Sequence, residues 1–384
     1  MNHAGVYLHT PFCRSRCSYC DFATGMYESD LAERYVNSLI EEIKRWNEVD
    51  HPADVNTIYF GGGTPSLLAP AQIERILKAV RDRFQVLTGA EVTIELNPGD
   101  GGTSAAAKLE TIRDFQHLGI NRASFGAQTF DDRELKQLGR THSSDDITST
   151  FYQLREAGFE NINFDLIAGL PRQTMADWQR NLAAALKPRP EHLSLYLLDV
   201  HEGTPLADQI KRGMRPEPDD DLAAEMYLML IDELCAVGYE HYEISNFCRP
   251  GFESRHNTKY WSGDPYYGFG CSAHSYDGAR RRWCNERDMA KYPDLIEHHQ
   301  SPIVERTVLN EEDARSESIF LGLRLMRGLD LMKYQSRFGS NLKDEYDSDL
   351  VRLRDAGLVE IDREVLRLTK RGALLSNEVF AALA

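Results

Sequence analysis

The chain has 384 residues, and 44 Lys and Arg against 60 Asp and Glu leave a formal net charge of −16. With 42% apolar and 27% charged residues it has the composition of an ordinary globular protein of two or three domains, which excludes disordered and fibrous chains. Its apolar stretches, such as 195–198, are far shorter than the ~20 residues of a membrane span, and the acidic excess repels phosphate backbones, so nucleic acid is not an expected partner.

Short β-branched or aromatic runs recur at 6–8, 57–60, 91–96, 122–125, 161–167 and 193–198. Helical patterns lie between them. In 31–46 the residues Val36, Leu39, Ile40 and Ile43 share one face, with Glu33, Glu41, Glu42 and Lys44 largely on the other. Ile73, Ile76, Leu77 and Val80 repeat the rhythm, as do Leu109, Ile112 and Leu118. Strand and helix in alternation imply parallel strands joined by right-handed crossovers. Six such units predict an α/β fold, a partial (β/α)6 TIM-like barrel over 1–215, with function at the C-terminal strand ends.

The pattern breaks at a Pro- and Asp-rich stretch, 215–221, which reads as a linker before a helix at 222–237. The segment 239–282 is dense in Gly, Tyr, His and Asn without a period, so 216–305 is expected to be a connecting region of loop and short strand folded against the barrel. Helices at 314–326 and 344–356, then strands at 359–361 and 366–368, predict a C-terminal helical, winged-helix-like domain over 306–384. No basic start followed by an apolar run precedes Cys13, so the cytoplasm is the expected location.

Three of the seven cysteines, Cys13, Cys17 and Cys20, form a C-x3-C-x2-C run between the first strand and the first helix. Seven is a poor number for a disulfide framework, and closely spaced thiols in a reducing compartment are more often metal ligands. A 4Fe-4S cluster takes four thiolates, so three leave one iron with a vacant position for a ligand. Zinc is the rival metal, but a structural zinc wants four closed ligands, and His9 lies within the strand. Cys235, Cys248, Cys271 and Cys284 are spread out and read as buried small apolar residues.

The C-x3-C-x2-C run after the first strand of a β/α barrel resembles the radical S-adenosylmethionine (SAM) superfamily. In 6–13, Gly61 to Pro65, Phe125 to Gln128 and 165–171 the chain is similar to the oxygen-independent coproporphyrinogen III oxidase group, over most of its length. The resemblance implies a radical SAM barrel in which Cys13, Cys17 and Cys20 hold a 4Fe-4S cluster. SAM would be contacted by Tyr7, Tyr19, Gly62, Gly63, Thr64, Glu95, Gln128, Arg140 and Asp165. Two branches of the group are relevant, a decarboxylating oxidase and a heme chaperone. The oxidase carries a further Cys two positions after the third cluster cysteine, where this chain has Phe22, and an N-terminal extension, whereas here six residues precede Tyr7. His256-Asn257-Thr258-Lys259-Tyr260-Trp261 reproduces the H-N-x-x-Y-W motif of the chaperone branch. All three features favour a chaperone that binds heme and passes it to acceptor proteins, with the oxidase as alternative. Imidazole is a common heme ligand and aromatic rings offer flat apolar surface to a porphyrin, so His256, Tyr260 and Trp261 are candidate heme contacts. The resemblance also implies respiratory membrane proteins among the acceptors and a homodimer linked through SAM.

Overall fold

A computed structural model of the protein describes residues 3–99 and 104–383. Strands β1 (Ala4–Thr10), β2 (Val55–Gly62), β3 (Val86–Leu96), β4 (Arg122–Gln128), β5 (Asn161–Ala168) and β6 (His192–Leu197) pair in chain order, all parallel. Crossover helices such as Ser29–Arg45, Pro70–Arg83 and Met175–Leu186 pack outside them. Parallel strands are covered on both faces, which is why β1 is buried at six of its seven positions. The chain is thus the expected mixed α/β fold built on a partial parallel barrel.

The helix Ser29–Arg45 buries Val36, Leu39 and Ile43 as its periodicity predicts. Glu42, assigned to the polar face, is buried too. Its carboxylate accepts hydrogen bonds from Tyr292 Oη (2.6 Å), Asn285 Nδ2 (2.6 Å) and the Gly270 N–H (2.9 Å). Burial pushes its pKa up to about 7.

The segment expected as loop and short strand against the barrel does form short strands, and these lengthen the sheet at both ends. Strands β7 (Glu240–Glu243) and β8 (Asn246–Cys248) form a hairpin whose β8 pairs antiparallel with β6. At the other end β9 (Tyr266–Phe269) runs parallel to β1 and is followed by an antiparallel meander of β10 (His274–Tyr276), β11 (Arg281–Asn285) and β12 (Ile303–Val308). Among the described residues the sheet has twelve strands in the order β12-β11-β10-β9-β1-β2-β3-β4-β5-β6-β8-β7. The helix Asp220–Ala236 buries Met226, Leu230 and Leu234 in the same core as the barrel.

A second core joins Ile319 and Leu323 of helix Glu311–Arg324 to Leu331, Leu342, Leu350, Leu366 and Val379. The strands Val359–Asp362 and Val365–Leu368 pair as a hairpin, with Leu329–Asp330 beside them. The single helix predicted for 344–356 is broken at Tyr346 into Leu342–Glu345 and Asp347–Asp355. Ile244 in the β7–β8 turn and Tyr266 and Tyr276 of the long sheet belong to this second core, so the two bodies share a seam. Among the described residues no helix is long and apolar enough to cross a membrane.

Candidate cofactor cleft

The cysteine loop leaves the C-terminal end of β1 and is closed by a short parallel ribbon, Phe12–Cys13 beside Gly25–Met26. The glycines after β2 exist because this loop lies on them. A Cβ on Gly62 would sit 2.5 Å from the His9 ring, and one on Gly63 would sit 2.6 Å from the Phe12 carbonyl oxygen. Gly62 also has φ +112, a conformation that L side chains rarely adopt. His9 shares Nδ1 with Tyr7 Oη (3.1 Å) and Nε2 with the Ala23 carbonyl (3.0 Å), so the rival fourth zinc ligand is already engaged.

Cys13, Cys17 and Cys20 are half-buried thiols around one mouth. Thr64 Oγ1 donates to Cys13 Sγ at 3.8 Å. Burial pushes the Cys13 thiol up to about 11 and raises that of Cys20, so thiolates here call for a bound cation. No three His, Cys, Asp or Glu side chains among the described residues converge tightly enough for a single metal ion. A cluster that takes one thiolate per iron suits this arrangement, and the donor set fits a three-cysteine 4Fe-4S centre.

The mouth opens on a cleft of about 390 Å³ that descends between the strand ends. Of the predicted residues, Cys13, Cys17, Tyr19, Cys20, Gly62, Gly63, Glu95, Gln128, Arg140 and Asp165 all line it. Glu95 accepts from Tyr59 Oη (2.7 Å) and the Gly62 N–H (3.1 Å), and burial raises its pKa to about 7. Asp165 is also pushed up by burial and accepts from Asn163 Nδ2 at 2.8 Å. Arg140 donates to Tyr19 Oη (2.9 Å) and Asn97 Oδ1 (2.8 Å), while its buried Nε has no partner. A Cβ on Gly126 would come within 2.5 Å of Gln128 and 2.7 Å of Arg140, so that glycine admits both. Gln128 itself is left-handed, φ 64, which turns β4 at its end. Two half-buried carboxylates and an incompletely bonded guanidinium suit a ligand carrying both cationic and anionic groups.

Tyr7 and Thr64 stand behind the wall of the cleft. Tyr7 stacks on Tyr59 (6.2 Å between centroids), and Thr64 accepts from Asn97 Nδ2 at 2.7 Å. Sequence reasoning missed Asn97, Arg122, Ser124, Asn163 and Ser194, which also line the cleft. Asn97 is two residues after Glu95, and Arg122 and Ser124 alternate with Gly126 and Gln128; period-two counting from the chosen residues finds them.

The His256 motif is elsewhere. It forms the helix Arg255–Ser262, whose first N–H groups donate to Glu91 (3.2 Å from Arg255, 3.0 Å from His256), the middle residue of β3. The His256 ring is 1% exposed against Gly5 in the barrel floor. Its Nδ1 pairs with Thr57 Oγ1 (2.9 Å) and its Nε2 with Tyr260 Oη (2.9 Å). Burial pushes its pKa down to about 3. Tyr260 is edge-on to Tyr266, and Trp261 lies under the Arg324 guanidinium at 4.2 Å, which in turn bonds fully buried Glu243 at 2.6 Å. The expected open porphyrin face is therefore not formed in this conformation. Each polar atom of His256 already has a partner, and iron could reach it only after Thr57 or Tyr260 let go. Asn257 alone of the motif lines the cleft. Cys248 and Cys271 are buried as predicted, Cys284 is half-buried, and Cys235 is exposed because it falls on the outer face of its helix.

A barrel of parallel strands with three cysteines, a glycine stretch and paired carboxylates at its C-terminal rim defines a radical SAM protein, and the radical SAM superfamily profile matches residues 7–185. The HemN C-terminal domain profile matches 309–375. Relatives named heme chaperone HemW include those of Bacillus subtilis, 36% identical over 98% of both chains, and Lactococcus lactis, 36% identical over 98% of this chain and 96% of that one. The solved structure of coproporphyrinogen III oxidase (HemN) from Escherichia coli superposes with a TM-score of 0.85 at 25% identity, covering 100% of this chain and 90% of that one. The chain belongs to the HemW family of the radical SAM superfamily, whose cofactors are a 4Fe-4S cluster and SAM.

Proposed function

We propose that the protein is a heme chaperone, binding heme and handing it to acceptor proteins, respiratory membrane proteins among them, from the cytoplasm. The observation that carries this reading is the full-length likeness to HemW proteins. Phe22, 65% exposed on the cleft wall where the oxidase branch has cysteine, supports it.

On this reading Cys13, Cys17 and Cys20 hold the cluster, with Thr64 fixing Cys13. The Gly62–Gly63 backbone and Glu95 face the methionyl ammonium of SAM, Arg140 its carboxylate, and Gln128 and Asp165 its ribose. Tyr19 orients Arg140, and Tyr7 supports Tyr59. When bound to a reduced cluster, SAM can be cleaved to a 5′-deoxyadenosyl radical. The chain's own part is to keep that cleft dry and to neutralise its ligand. A SAM-linked homodimer belongs to the same proposal.

Anaerobic reconstitution with iron, sulfide, SAM and heme, followed by optical spectra, tests it. The expected result is uptake of both cluster and heme, with cluster uptake lost on replacing any of the three cysteines by serine. The HemN likeness favours a second reading, coproporphyrinogen decarboxylation; formation of protoporphyrinogen and carbon dioxide when coproporphyrinogen, a low-potential reductant and an electron acceptor are added to the reconstituted protein with SAM would establish that and displace the chaperone.

A further inference from the structure

The floor of the cleft holds a cation with no hydrogen-bonded or ion-paired partner, although its charge reaches Glu95 and Asp165 and offsets part of the upward pKa shift of each. Arg122 is 1% exposed at the N-terminal end of β4, six residues or about 20 Å along the strand from Gln128. It lines the cleft, yet its Nε and Nη1 have no hydrogen-bond partner. Among the described residues no carboxylate lies within ion-pair distance of it; of the acids that line the cleft, Glu95 is engaged by Tyr59 and Gly62 and Asp165 by Asn163, while Asp21 and Asp199 line it as well. Ser124, one step up the same face of β4, accepts from Asn163 Nδ2 at 2.8 Å, which leaves its hydroxyl proton to donate. His192, below, is held neutral by burial, with its ring nitrogens against Asn163 and Tyr242, so it adds no competing charge.

A buried guanidinium with unanswered N–H groups is costly, and native structures supply such groups with a partner. The fork of donors on Arg122 matches a carboxylate, and the Ser124 hydroxyl adds a further donor above it. We propose that Arg122 and Ser124 form a carboxylate subsite at the base of the cleft, distinct from the residues assigned to SAM. The carboxylate is carried by a tetrapyrrole side chain, which rests on the heme reading above, or by a small free acid.

The test compares the full-length protein with its Arg122→Gln and Ser124→Ala variants, using heme, heme dimethyl ester and sodium propionate as probes. For a tetrapyrrole source, the wild type binds heme about tenfold or more tighter than the ester, and Arg122→Gln abolishes that preference; SAM affinity, compared at a pH about two units above the Glu95 pKa so that the loss of the neighbouring cation does not reprotonate Glu95, falls far less. For a free acid, propionate raises the melting temperature of the wild type but not of Arg122→Gln. Ser124→Ala, which removes one neutral donor, weakens the same response in part and serves if Arg122→Gln does not fold. The subsite is overturned if the wild type shows neither response, if the variants respond as the wild type does, or if Arg122→Gln loses SAM instead. Absence of any heme binding would remove the chaperone reading alone and leave propionate to decide the subsite.

Discussion

Replacing His256 by alanine separates a buried floor residue from an exposed ligand. The substitution opens a void between Gly5, Thr57 and Tyr59, and strands the Thr57 and Tyr260 hydroxyls, each 2.9 Å from the ring today. A stranded buried hydroxyl costs about 1–3 kcal/mol, and truncating a large buried ring costs about 3–5 kcal/mol in its own right. With partial collapse the expected loss is about 3–5 kcal/mol. Removing a surface histidine would stay within about 0.5 kcal/mol. The assay is urea unfolding of cluster-free, heme-free protein, with the midpoint compared at unchanged slope. The pH dependence adds a signature. Burial lowers the His256 pKa from 6.5 to about 3, so the neutral ring's contribution is complete above pH 6.5 and is withdrawn as pH falls toward 3. Over that window the alanine variant should lose stability less steeply, by up to about 1.4 kcal/mol per pH unit. A loss below about 1 kcal/mol with an unchanged acid limb would refute the buried placement.

Glu95→Gln should flatten the pH dependence of SAM binding. In the wild type a carboxyl with pKa about 7 must ionise to meet a cation, so affinity falls up to about tenfold per unit as pH drops below 7, as titration calorimetry from pH 6 to 8 would record. Gly63→Ala pushes a methyl into the Phe12 carbonyl and should cost about 1–3 kcal/mol, with less iron retained per chain after anaerobic desalting. Arg324→Ala leaves fully buried Glu243 without its cation and frees the Trp261 face; thermal melts should show a loss of about 3–5 kcal/mol, larger than for the paired Glu243→Gln, Arg324→Met exchange.

The parallel barrel was legible because short β-branched or aromatic runs alternate along the chain with amphipathic helices; within 122–125 and 161–167 the apolar residues alternate with Arg122, Ser124, Asn163 and Asp165, which line the cleft. The sheet extension was not, because strands of three to five residues such as Asn246–Cys248 and Tyr266–Phe269 give no period to read, and their partners lie far off in sequence. The cysteine run and the Gly61–Gly63 stretch were legible because their chemistry is contiguous. Arg122 was overlooked because an arginine opening a strand reads as surface; only the period-two step down from Gln128 puts it on the face that the barrel turns inward. Glu42 was misplaced because its three donors come from residues 270, 285 and 292. The His256 motif was noticed for its composition, but whether a histidine is offered or sequestered depends on Thr57 and Glu91, which no local pattern ties to it.

The loop bearing the three cluster thiols is tethered by ordinary backbone bonds: Gly25 N–H to the Pro11 carbonyl (2.8 Å), Tyr27 N–H to Cys13 (3.0 Å), Ser18 N–H to Leu138 (2.9 Å) and Leu206 N–H to Ser18 (2.8 Å). Unlike a zinc finger, whose metal supplies the folding free energy, this loop has anchors besides its thiols, in the short ribbon and in the helix ends at Leu138 and Leu206. Iron–sulfur assembly then becomes a late and repeatable step. Chains made during iron shortage would wait in a competent form, and oxidative loss of the inorganic centre would be a repairable injury rather than the end of the molecule.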